Sequence, residues 1–196
     1  MKKQRLIPLR VPWMVSPSTP FLRLFASEQP SQEKTYVEFV AYYKCEENPS
    51  VQSSTTGVHV VRPPAIFQAD NTGHGPYRLL RVEFESGLWV KLSPAHSDKE
   101  VVEDARFDWS GVPGRWSHGE DIYEFLERSK EEWLRSGICP DPNIYEVEES
   151  QWLDETEARH DGHKQWKHFL VLGHDAYAEV IARAYSIREG QVLSGW

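Results

Sequence analysis

The chain has 196 residues and a formal net charge of -8, with 39% apolar residues, eight tryptophans and two cysteines. That length fits one domain, residues 1–196, able to bury about 70% of its unfolded surface. A mean hydropathy of -0.59 fits a soluble chain, and no run approaches the ~18 consecutive apolar residues of a spanning helix, so a membrane role is not expected.

Charge is uneven along the chain. Residues 1–27 carry five basic residues and no acid, while Glu120 to Glu157 holds 13 acids and three bases. So acidic a body repels phosphate backbones, which argues against nucleic acid and for a basic protein partner. The same acids also serve solubility. The start, MKKQRLIPLRVPW, is broken by Pro8 and Pro12 and does not read as a secretory signal. Cys45 and Cys139 do not form a disulfide framework, and free thiols suit a reducing cytoplasm.

Taken in order, residues 1–34 form a Pro-rich, irregular segment with one short edge strand around Arg5 to Val11 and a short docked piece at Pro20 to Ala26. Tyr36 to Cys45 is dense in β-branched and aromatic residues and reads as a strand. Glu46 to Thr56 is loop, and Gly57 to Arg62 and Ala65 to Ala69 are short strands. Tyr77 to Glu85 and Leu88 to Leu92 read as a hairpin about Ser86-Gly87. Ser93 to Asp104 is loop, and Arg106 to Trp109 a short strand.

The principal helix is expected over Ser117–Ser136. Ser117 and Glu120 form a capping box. Ile122, Phe125, Leu126, Ser129 and Trp133 share one face, and Gly137 stands at C′. Asn143 to Glu149 alternates as a strand, and Ser150 to His163 reads as loop or a short helix. Gln165 to Ile187 then reads as a central hairpin turning at Gly173–Ala176. Residues 176–188 match a helix as well as a strand. We read a strand, because a hairpin needs only that turn. The fold class expected is α+β: a mostly antiparallel sheet with helix 117–136 packed on it.

Three stretches, Leu6–Pro12, Cys139–Leu153 and Lys167–Ala182, resemble small bacterial proteins of the toxin-immunity type. They span about a fifth of the chain. The resemblance implies an α+β fold and a binding role rather than catalysis, with no functional residue carried over.

Two constellations could carry chemistry. His160, His163, His168 and His174 lie close in sequence, enough donors for zinc, but the spacing matches no established site. His168 and His174 also bracket a strand, at opposite ends. His174-Asp175 could be an acid/base pair, although a turn explains it equally. Cys139 follows a helix C-terminus, which disfavours a thiolate. Neither a cofactor nor a resident metal is expected. Trp89, Trp133 and Trp166 are expected in the core. Trp116 and Trp152, with Glu120, Glu124, Glu127, Glu131 and Glu132, make the expected partner face. The reading is thus a cytoplasmic protein-binding inhibitor, for example one neutralising a basic toxin domain. The alternatives are a metal-dependent hydrolase using the four histidines, or a scaffolding protein.

Overall fold

The computed structural model describes residues 2–11, 22–26, 35–42, 77–85, 89–92, 106–116, 119–156, 166–173 and 176–192. They form ten strands and two helices: β1 Gln4–Pro8, β2 Leu22–Phe25, β3 Thr35–Tyr42, β4 Tyr77–Glu85, β5 Trp89–Leu92, β6 Phe107–Asp108, α1 Ile122–Ser136, β7 Ile144–Glu148, α2 Gln151–Glu155, β8 Lys167–Leu172, β9 Tyr177–Ala182 and β10 Ala184–Val192. The class is α+β and mostly antiparallel, with one main helix.

The strands divide into two sheets. One has the order β5-β9-β8-β7-β1-β6, the other β10-β4-β3-β2. Among the described strands, only the short β1–β6 contact is parallel. The sheets pack face to face. Val37, Leu80, Val82 and Phe84 of the smaller sheet meet Phe169, Val171, Val180 and Ala182 of the larger one in a single cluster. Phe169 lies between Phe84 and Tyr185, with centroids 5.4 and 5.5 Å away.

The larger sheet is buried on its outer face too. There Leu6, Phe107, Val112, Tyr145, Leu170 and Leu172 form a second cluster, flanked by Trp109 and Tyr177. Burial on both faces explains why β8 reads as an unbroken apolar run rather than an alternating one.

Several expectations need correcting. β4 and β5 are not a hairpin. β3 and β10 already occupy both edges of β4 with ladders longer than four residues, so β5 crosses to the edge of the other sheet and pairs with β9. β1 is not an edge strand, since it lies between β7 and β6. In the N-terminal segment, β1 and β2 stand where the short strand around Arg5 to Val11 and the docked piece at Pro20 to Ala26 were expected. The expected strands at residues 57–62 and 65–69 lie outside the described residues.

The hairpin of β8 and β9 forms as expected, and residues 176–188 are strand, not helix. They belong to two sheets, however. Ala178, Val180 and Ala182 point into the core, then Tyr185 and Ile187 do. The three-residue step across Arg183 marks where the chain crosses from one sheet to the other.

Helix α1 starts at Ile122, later than expected. Its cap is Asp121, whose carboxylate accepts from the Tyr123 and Glu124 amides, while Ser117 lies outside the described residues. Asp121 wins because it stands directly before the apolar stripe, with Gly119 at φ 88 breaking the backbone ahead of it. Gly137 adopts φ 70 at the other end and bonds back to Trp133 O. Ser129 and Trp133 are buried, but Phe125 and Leu126 are half-buried and Ile122 is 45% exposed. The helix is anchored by its last turns, where Trp133 meets Leu9, Val11 and Cys139.

Candidate functional site

His168 is the one clustered histidine among the described residues; His160, His163 and His174 lie outside them. It is no surface ligand. Its ring faces outward from the larger sheet yet is fully buried. Nδ1 lies 2.8 Å from Ser150 Oγ, and Nε2 lies 3.1 Å from Glu179 Oε2, off the N–H axis. Among the described residues no three His, Cys, Asp or Glu side chains are placed to hold a metal ion.

Each member of this chain has a local reason for its place. Glu149 adopts φ 55 and turns the backbone out of β7. Ser150 then caps α2, its oxygen accepting from Leu153 N at 3.0 Å. Its hydroxyl proton is therefore free to donate to His168 Nδ1, which leaves the ring proton on Nε2, towards Glu179. Glu179 sits mid-β9, 2% exposed, and accepts from both terminal nitrogens of Arg106, at 3.2 and 2.5 Å. Lys91 of β5 lies over the Trp152 ring at 3.8 Å, and Trp152 meets His168 edge-on at 5.1 Å.

The electrostatics follow from this packing. Burial alone would raise the Glu179 carboxyl. The close contact with His168 and the Arg106 hydrogen bonds overcome it and hold the group at about 2. Burial pushes His168 below its ordinary value, helped by Arg106 and Lys91 and opposed by Glu179. Lys91 is pushed down, by burial first.

The order Ser-His-Glu is that of a hydrolase relay. Here the hydroxyl already caps a helix, and Ser150 is 4% exposed. The amide after it, Gln151 N, is taken by Gln4 Oε1 at 3.0 Å, so it cannot serve a developing oxyanion. The chain therefore works as a brace that ties α2 and β7 to β8, β9 and the segment before β6. Sequence reasoning missed Ser150, Glu179 and Arg106. The available signal was a glutamate inside the apolar YAEVIA and a histidine inside KHFLVL, since such residues persist inside only when paired.

The expected partner face is divided by the structure. Glu120 is bidentate with Arg128, at 2.8 and 3.0 Å to one guanidinium nitrogen. Arg128 also donates to Pro113 O, which straps Pro113 and Glu120 onto α1. Glu132 is held by Arg135 at 2.6 Å, and Glu127 meets Lys130 at 3.4 Å. Trp152 is half-buried against His168 and is not on this face. Trp116 is, with its indole nitrogen donating to Glu120 O at 3.0 Å. Around the start of α1, Trp116, Ile122 and Tyr123 are 41, 45 and 75% exposed; Asp121, Glu124 and Glu127 are exposed on the same stretch, and Glu131 is exposed further along the helix. Trp89 and Trp166, expected in the core, are half-buried and touch edge-on at 5.1 Å. Trp133 is in the core, 2% exposed.

Comparison of the chain with protein-family models, curated proteins and solved structures finds no match.

Proposed function

We propose that the chain is a protein-binding inhibitor of the toxin-immunity type, which covers a basic partner with the solvent face at the start of α1. One observation carries this reading. Three large apolar side chains, Trp116, Ile122 and Tyr123, lie exposed on one short segment, rimmed by unburied carboxylates. Aromatic anchors inside a charged rim are the usual composition of an interface hot spot. Acids at a helix start are also favoured by the dipole, so the rim is stable without a partner. The work would take place in the cytoplasm, whose reducing conditions suit Cys139, a buried thiol in no disulfide. Among the described residues no helix is long and apolar enough to cross a membrane.

The test is binding of the neighbouring gene's product by wild type and by Tyr123→Ala and Trp116→Ala. Hot-spot truncations should raise Kd by a factor on the order of 30 or more, mostly through faster dissociation. Unchanged dissociation in both variants would remove this face from the interface.

A further inference from the structure

A second surface lies on the outer face of the larger sheet, at the end where β8 starts and β9 stops. Arg183, between β9 and β10, places its guanidinium over the Trp166 ring, 4.9 Å from the centroid. Trp89, at the start of the edge strand β5, meets Trp166 edge-on. Arg183 Nε and Trp166 Nε1 are both buried and make no hydrogen bond. Arg183 makes no ion pair with a carboxylate among the described residues, in a chain with 30 acidic residues. Two buried N–H donors left without an acceptor are costly, because the desolvation of each is not offset by a hydrogen bond. Further along the same face, Lys91 lies over Trp152. β5 pairs Trp89 with Ile181 and Lys91 with Glu179, so Lys91 and Arg183 stand four residues apart in register, roughly 13 Å. The face thus alternates cations with tryptophans, the reverse of the acidic start of α1.

We propose that Arg183, stacked on Trp166, is the anchor of a site for a small oxyanion, a carboxylate or a phosphate. Arginine is suited to this, since its planar fork matches two oxygens and its ring-stacked face is weakly hydrated. Trp166 holds the fork in place, Trp89 offers an apolar wall for the body of the ligand, and Lys91 adds long-range attraction. The site is separate from the α1 face and does not depend on its role.

The experiment titrates the full chain with sodium acetate, benzoate and inorganic phosphate, against sodium chloride at matched ionic strength. The indole N–H resonances report on it, with Trp166 assigned by Trp166→Phe. The expected result is a saturable shift of the Trp166 and Trp89 indole signals with an oxyanion but not with chloride. Tighter binding of benzoate than of acetate or phosphate would point to a carboxylate on a flat body, and tighter binding of phosphate to a phosphate ester. Arg183→Met should weaken binding about tenfold or more, the worth of a charge-assisted pair. If that variant does not fold, Arg183→Lys is read instead: it keeps the charge, loses the fork and should bind measurably more weakly. Equal shifts with chloride, or a folded Arg183 variant that binds as wild type does, would overturn the proposal.

Discussion

Glu179 is a charged residue taken almost wholly out of water. It is a carboxylate 2% exposed, held between an imidazole and a guanidinium. Replacing it by glutamine leaves Arg106 without its charge partner and turns a neutral amide towards His168. The expected loss is about 3–5 kcal/mol, towards the lower end because Arg106 keeps some contact with water. The pH dependence has two parts. Glu179 has a folded value of about 2, against 4.5 when free. Its stabilisation is complete above about 4.5 and is lost as pH falls towards 2. His168 has a folded value below its ordinary 6.5. The unfolded chain therefore takes that proton first, and stability declines as pH drops below 6.5. Denaturant midpoints at about pH 7, 5 and 3 separate the two parts. Glu179→Gln should flatten the acid limb and His168→Gln the step near neutrality. A wild-type midpoint constant across this range would mean that neither group is perturbed by folding.

At the scale of the element, α1 is held by its two ends and its last turns. Asp121→Ala removes the acceptor for two amides and should cost about 1 kcal/mol. Trp133→Ala empties a fully packed site and should cost about 3–5 kcal/mol. Phe125→Ala should cost distinctly less, since Phe125 is only half-buried. Denaturant unfolding of the three variants tests this ranking, and a Phe125 loss equal to that of Trp133 would contradict it. The helix itself was legible because periodicity and the C′ glycine are local signals. Its start was not, because Ser117 and Asp121 both satisfy a capping pattern, and the sequence does not show that Gly119 takes a positive φ ahead of Asp121. The β8–β9 hairpin was legible for the same local reason. The fate of β5 was not. Tyr77–Glu85 and Trp89–Leu92 look like a hairpin from spacing alone, while their separation depends on β3 and β10 claiming both edges of β4. The buried brace was hidden in the same way: Ser150, His168 and Glu179 are distant in sequence and meet only once two ladders are in register.

For the molecule as a whole, charge is the property that acts at a distance. The formal net charge is -8, and the acids are concentrated in the stretch that carries α1. If a basic partner docks at the start of α1, opposite fields should set its rate of encounter. Glu124, Glu127 and Glu131 are the residues to reverse, because they are exposed. Glu120 and Glu132 are poor choices, since reversing them would break the Arg128 strap and the Arg135 pair. The Glu127 contact with Lys130 is long and solvent-exposed, so its loss should matter little. Three Glu→Lys changes remove three negative charges and add three positive ones. They should leave folding within about 0.5 kcal/mol per site, as surface substitutions usually do. The association rate with the neighbouring gene's product should fall by roughly tenfold at low salt. Its salt dependence should flatten, because ions then have less attraction to screen. Dissociation should change far less, being governed by Trp116 and Tyr123 rather than by the field. Stopped-flow association at low and at physiological salt measures both effects. A charge-reversed chain that associates as fast as wild type, and with the same salt slope, would mean that the acids of α1 serve solubility and steer nothing.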